Sequence, residues 1–224
     1  MLKKIAKIAG IIILCLFALR IIGGVTGMFA FYSVPSSGDE PNIKTGSYII
    51  ITNLKTPKRG DFISYNFNDS LYGNMRYLHR LCGVENDTIE IRNSVLFVNG
   101  ENFDKHFNLQ HTYVLSQAQL DNMKQLSLEN FRISEDKFMV FIQDVDAKKY
   151  ALEKYRFIHS KDKIDQVIKE QYNQNWNKDH FGPLIIPKGK IFVLGDNRDN
   201  SQDSRHTGLR DATAIIGVYW KTVY

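Results

Sequence analysis

The sequence predicts a mainly β fold with an inserted α+β subdomain, preceded by an N-terminal transmembrane helix. Three observations point there: short alternating apolar runs at both ends of the body, a stretch of helical spacing between them, and a long apolar segment that opens the chain. The 224 residues, 43% hydrophobic and 24% charged, suffice for one such body and are too few for two large domains.

The apolar segment runs from Ile5 to Phe31 and is broken only by Lys7, Arg20 and Thr26. A spanning helix needs about 20 residues, so its length suits a retained membrane anchor over residues 1–32. A cleaved signal peptide, with its apolar region at Ile11–Leu19, is the alternative. Against it, no small-x-small cleavage site follows and the apolar character resumes at Ile21. Lys3, Lys4 and Lys7 place the N-terminus in the cytoplasm and the body, residues 33–224, on the outer side of the plasma membrane. A central Arg20 costs about 2.5 to 3.5 kcal/mol on insertion scales, which snorkelling lowers. These four bases carry most of the net charge of +5, so the body is nearly neutral. It has no basic stripe interleaved with aromatics, which excludes a nucleic-acid partner and leaves the lipid bilayer as the one implied by charge.

Within the body, Tyr48–Thr52, Asp61–Tyr65, Arg76–Leu81, Thr88–Ile91 and Val95–Val98 read as half-buried strands divided by turns. Leu184–Ile186, Lys190–Leu194 and Ala214–Trp220 close the chain in the same style. From about residue 104 to 176 the pattern changes. Ser116-x-x-Gln119 is a capping box ahead of Leu120 and Met123, and Ile164, Val167, Ile168 and Tyr172 recur at helical spacing. This stretch is the predicted insertion. Cys15 and Cys82 lie in different segments and make no disulfide framework. Cys-x-x-Cys, His-Glu-x-x-His, Gly-x-Gly-x-x-Gly and the phosphate-loop pattern are all absent from the sequence, so neither a metal nor a cofactor is expected.

The densest polar cluster is Gly195-Asp-Asn-Arg-Asp-Asn-Ser-Gln-Asp-Ser-Arg205, after the last residue of an apolar run. By composition it reads as an exposed turn. As a calcium loop it fails, because Asp199, Ser201 and Asp203 lack the following glycine and Arg210 stands where the bidentate glutamate belongs. Over eleven ordered positions, however, the string resembles the last conserved box of the signal peptidase I (S26) serine proteases. Lys58-Arg-Gly-Asp61 and Arg80-Leu-Cys-Gly-Val-Glu-Asn-Asp-Thr-Ile-Glu-Ile91 look like two further boxes of that family. Phe181-Gly-Pro183 and Pro187-Lys-Gly189 are similar to the approach to the last one. The resemblance implies a signal-peptidase-like β catalytic core on a membrane anchor. It also implies a serine endopeptidase that removes signal peptides from exported pre-proteins, which become its partners.

The chain departs from the family pattern at two positions. The family motif Pro-Ser-x-Ser-Met-x-Pro is here Pro35-Ser-Ser-Gly-Asp-Glu-Pro41, which puts Gly38 at the nucleophile position. The family's lysine base is replaced by His79, in Tyr77-Leu-His-Arg80. An imidazole of ordinary pKa about 6.5 is largely neutral near pH 7 and can act as a base untuned, losing rate below that pH. Strand alternation puts Tyr77, His79 and Leu81 on one face, so a hydrogen-bonded core histidine is the alternative. Glycine cannot attack a carbonyl. Ser37 is therefore the expected nucleophile, brought to His79 by a loop rearrangement that Gly38 permits, with Ser36 as alternative nucleophile or oxyanion donor. Asp203 is expected to orient His79, completing a Ser-His-Asp set. Arg80 and Ser201 are expected to support the site, and Arg205 to pair with Asp196. The substrate would lie extended along an exposed strand edge. The competing reading is a catalytically inactive homologue that binds peptides or pre-proteins.

Overall fold

The computed structural model describes residues 2–69, 73–126 and 128–223, with the side chains of Leu2, Leu16, Leu19, Arg20 and Asp69 outside that set. The expectation for the Arg20 side chain thus lies outside the described residues. The apolar opening forms one helix, α1 (Leu2–Thr26), along which aliphatic side chains such as Ile13 and Val25 stand exposed. Among the described residues, no helix is long and apolar enough to cross a membrane.

Each predicted strand is present, most with shifted ends. In chain order the strands are β1 (Ala30–Ser33), β2 (Tyr48–Thr52), β3 (Phe62–Asp69), β4 (Gly73–Gly83), β5 (Thr88–Arg92), β6 (Val95–Val98) and β7 (Glu101–Asn102). There follow β8 (Gln110–Leu115), β9 (Asn130–Ser134), β10 (Lys137–Gln143), β11 (Phe181–Ile185), β12 (Lys190–Leu194), β13 (Arg210–Asp211) and β14 (Ile215–Val223). They make a seven-stranded sheet in the order β1-β2-β14-β3-β4-β12-β13, a four-stranded sheet β11-β5-β6-β7, and a three-stranded sheet β8-β10-β9.

Period-two alternation decides which face each residue of the large sheet serves. Ile63 and Tyr65 of β3 pack with Leu81, Ile191, Val193 and Val218, whereas Phe62, their neighbour in sequence, joins Val34, Ile43, Ile49 and Ile51. Each fully buried aliphatic contributes about 1.5 to 3 kcal/mol. The four-stranded sheet buries Ile89, Ile91, Leu96, Val98 and Phe181 against Ile168 of α4 (Gln166–Tyr172). The Asp165 carboxylate caps that helix by accepting from the Val167 and Ile168 amides. Beside the three-stranded sheet, α3 (Asp144–Lys149) follows β10, and α2 (Gln117–Asp121) begins with the predicted capping box: the Ser116 amide donates to Gln119 Oε1 at 2.8 Å, and the Gln119 amide donates back to Ser116 Oγ at 3.4 Å.

This smaller sheet is tied to the polar loop after β12. The Gln110 amide donates to the Asp196 carbonyl at 2.9 Å, the Arg198 amide donates to the Gln110 carbonyl at 3.0 Å, and the Thr112 amide donates to Asp199 Oδ2 at 2.7 Å. The Arg-Gly-Asp box is structural too. Gly60 sits at φ +94°, a left-handed conformation open to glycine, and its carbonyl accepts from Arg80 Nη1 at 2.5 Å. Asp61 accepts from the Lys58 amide, and Arg59 pairs with Asp87 at 3.2 Å.

Candidate active site

Three segments converge on a cleft of about 840 Å³ lined by Tyr32, Ser36, Ser37, Gly38, His79 and Ser201, among others. The β1–β2 connection supplies residues 36–39. The middle of β4 supplies His79. The loop between β12 and α5 (Ser204–Thr207) supplies Ser201.

His79 is buried, at 4% exposure, with both ring nitrogens engaged. Nδ1 lies 2.8 Å from the Tyr65 hydroxyl and Nε2 lies 3.1 Å from Ser201 Oγ. Ile63 stands directly opposite His79 in the β3–β4 register and Tyr65 opposite Tyr77, so Tyr65 reaches the imidazole diagonally on their shared face. Burial pushes the imidazole down to about 4; Asp203 opposes that shift, while Arg210 and Arg205 add to it. The ring is therefore neutral at pH 7. Burial also raises the Tyr65 phenol well above its ordinary value, so it stays protonated. For Nε2 to accept from Ser201, Nδ1 must carry the ring proton and donate it to the Tyr65 oxygen.

The acidic partners differ from expectation. Asp203 does not hydrogen-bond His79. Its Oδ1 accepts from Arg205 Nε at 2.9 Å and from the Arg205 amide, while Oδ2 accepts from Arg205 Nη2 at 2.8 Å and from the Gly195 amide. Burial alone would raise this carboxyl, but the Arg205 guanidinium overcomes it and holds it down to about 2. Asp203 acts on His79 through its charge only, and Tyr65 takes the orienting position. Asp196 pairs with Arg80 instead of Arg205: Arg80 Nε donates to Asp196 Oδ1 at 2.7 Å, and its Nη2 donates to Oδ2. The physical reason is proximity within the loop. Arg205 lies two residues after Asp203, the N-cap of α5, whereas Arg80 follows His79 on β4 and reaches Asp196 at the start of the loop.

The Ser37 hydroxyl is engaged by Asn200 and not by His79. It accepts from Asn200 Nδ2 at 3.0 Å and the Ser37 carbonyl from Asn197 Nδ2 at 3.1 Å, while the Gly38 carbonyl accepts from the Asn197 amide at 2.9 Å. Gly38 is not in the left-handed region, so the expected glycine-enabled rearrangement has no counterpart in its backbone. Ser36 lines the cleft. What Gly38 does supply is space: a Cβ there would lie 3.6 Å from Ser201 Oγ. Next to it, Asp39 is buried, and its carboxyl is raised well above the usual range by burial and by the charge of Asp196.

Gly195 is required by close approach, since a Cβ there would fall 2.1 Å from Ser201 Oγ and 2.4 Å from the Gly38 carbonyl oxygen. The loop is thus a packed structure in which nearly every member has a partner, including Arg198, whose guanidinium holds Asp104 through two bonds of 2.6 Å. Sequence reasoning missed Tyr65 and Asn200. The signal for Tyr65 was available in its alternation with Ile63, but its meeting with His79 depends on the cross-strand register.

The sequence model of the family described as "Signal peptidase, peptidase S26" matches residues 2–223. A Signal peptidase I of Buchnera aphidicola is 26% identical over 83% of this chain and 66% of its own length. Signal peptidase I P of Bacillus subtilis subsp. natto is 30% identical over 72% of this chain and 56% of its own. Signal peptidase I of Aquifex aeolicus is 26% identical over 96% and 81%. The chain thus spans between about half and two thirds of the first two relatives. A crystal structure of a signal peptidase I from Enterococcus faecalis aligns at 24% identity over 73% of this chain and 97% of that one, with a TM-score of 0.35.

Proposed function

The chain belongs to the signal peptidase S26 family, and on that premise we propose that it is a membrane-anchored serine endopeptidase that removes signal peptides from exported pre-proteins. The observation that carries the reading is the buried, neutral His79, whose Nε2 opens on the cleft with a serine hydroxyl 3.1 Å away. A general base must be within about 2.6 to 3.2 Å of the proton it removes and unprotonated at working pH, and His79 meets both conditions.

Residues 1–32 are the anchor of this reading. Helix α1 has 25 residues and, at 1.5 Å per residue, a length of about 37 Å, more than the roughly 30 Å of a bilayer core. Among the described residues no helix is long and apolar enough to cross a membrane, so the anchor is inferred from the apolar run of the sequence between Ile5 and Phe31. With Lys3, Lys4 and Lys7 cytoplasmic, residues 33–224 stand outside the plasma membrane, with the insertion at about 104–176 part of that domain. β1 is an edge strand of the large sheet, and Tyr32 and Ser33 face the cleft, so an extended peptide has an edge to join.

The test is cleavage of a pre-protein by the purified full chain in lipid vesicles, with and without His79→Ala. The reading expects a shortened product from the wild type and a loss of about 10²- to 10⁴-fold in rate in the variant. Pre-protein binding by the wild type with no product would establish an inactive homologue instead.

A further inference from the structure

We propose that Ser201, not a serine of the Pro35–Pro41 loop, is the nucleophile of this enzyme, with Gly38 clearing the approach to it. The inference rests on the peptidase reading above and deepens it by assigning the reacting oxygen.

Four observations converge. Ser201 Oγ is 3.1 Å from His79 Nε2, and no other described serine hydroxyl is hydrogen-bonded to the imidazole. Tyr65 occupies Nδ1, which leaves Nε2 as the accepting nitrogen. The Ser37 hydroxyl is committed to Asn200, in the same loop as Ser201, so it steadies that loop. Finally, the volume a side chain at residue 38 would fill lies beside Ser201: a Cβ there would be 3.6 Å from its Oγ and 3.9 Å from its Cβ. With glycine at 38 that volume is part of the cleft, and a scissile carbonyl can enter it from the open side. Ser201 is half-buried and its backbone is fixed by a loop whose members are paired on both sides, which suits a group that must not move during attack.

The chemistry balances without any co-reactant but water. As Ser201 Oγ bonds to the carbonyl carbon, its proton passes to His79 Nε2 and the carbonyl π pair moves onto oxygen. Collapse of the tetrahedral adduct breaks the C–N bond, and the departing amine takes the proton from Nε2. An ester on Ser201 remains. Water then attacks that ester, gives its proton to His79, and the proton returns to Oγ as the C–O bond breaks, freeing the carboxyl product.

The experiment uses the full chain in detergent micelles with an internally quenched peptide carrying alanine one and three residues before the scissile bond. Turnover is measured for wild type, Ser201→Ala, Ser201→Cys, Ser36→Ala and Ser37→Ala. The acyl adduct is trapped by acid quench and mapped by mass spectrometry. We expect the adduct on Ser201, a loss of at least about 10³-fold in Ser201→Ala, and a loss of no more than about tenfold in Ser37→Ala, which removes one hydrogen bond. Ser201→Cys guards against a folding artefact, because its thiol next to His79 should be alkylated by iodoacetamide faster than that of the Ser201→Cys/His79→Ala double variant. An adduct on Ser36 or Ser37, with turnover retained in Ser201→Ala, would overturn the assignment and leave the peptidase reading standing. A wild type with neither turnover nor adduct would overturn both.

Discussion

Arg80 and Asp196 form a buried ion pair that ties the strand of His79 to the loop of Ser201. Arg80 immediately follows His79, and Asp196 lies five residues before Ser201 with no exposed surface. Asn42 Nδ2 adds a third bond to the same carboxylate at 2.6 Å. Removing one member of a buried pair strands the other's charge at a cost of about 3 to 5 kcal/mol. Asp196→Ala should therefore lower unfolding free energy in urea by that amount. A loss below about 1 kcal/mol would mean the pair contributes little.

The pH profile separates an ordinary histidine from this one. With the imidazole pushed down to about 4, kcat/KM should be flat from about pH 5 to 8 and fall only below about 4.5, in contrast to the break near 6.5 that the isolated residue predicts. Stability moves in the same direction. Between pH 6.5 and 4 the unfolded chain protonates this histidine while the folded one does not, so stability drops as pH falls through that window and rises as pH increases. His79→Gln should flatten this part of the urea-midpoint profile, and an unchanged slope would assign it to other groups.

Tyr65 takes the place where a carboxylate was expected. Tyr65→Phe removes the acceptor of the Nδ1 proton while preserving the ring, so the tautomer with Nε2 unprotonated loses its anchor. We expect kcat to fall about 10- to 100-fold with KM nearly unchanged. Asp203→Asn, by contrast, should act mainly through stability, since its carboxylate serves Arg205 and the start of α5. A kcat loss in Tyr65→Phe below twofold would remove it from the orienting role.

Gly38 offers a gain-of-function test. Its backbone is open to ordinary residues and a Cβ points to within 3.6 Å of Ser201 Oγ. In a Ser201→Ala background, Gly38→Ser can place a hydroxyl in the volume that Ser201 vacates. Turnover should recover at least about tenfold over Ser201→Ala alone, and the recovery should vanish when His79→Ala is added. Failure of both serines to support turnover in any combination would count against His79 as a base.

Gly195→Ala tests the close packing under the serine. The added carbon would meet both Ser201 Oγ and the Gly38 carbonyl well inside contact distance, so one of them must move. Overpacking of this kind costs about 1 to 3 kcal/mol. Melting temperature and turnover should fall together, and an intact melting temperature with full activity would show that the loop yields without cost.

Much of the framework was legible because it depends on local pattern. Alternating runs located the strands, and Ser116 with Gln119 announced α2 through bonds confined to four residues. The site was less legible because its pairings are long-range. Asp196 and Asp203 sit in one string, and nothing local tells which of Arg80 and Arg205 each will meet. His79 was picked out by position, but its low affinity for a proton comes from burial by strands far apart in the chain. Ser201 stood in the recognised box as a supporting residue, and its distance to His79 spans 122 positions.

The hydrogen bonds from Gln110 and Thr112 to the loop of residues 196–199 make the small sheet a strut of the loop that carries Ser201 rather than a separate appendage. A ligand or antibody fragment that pried β8 from this loop would slacken the serine's hold on the imidazole without entering the cleft. Such a molecule would be a noncompetitive inhibitor, indifferent to how much pre-protein is present.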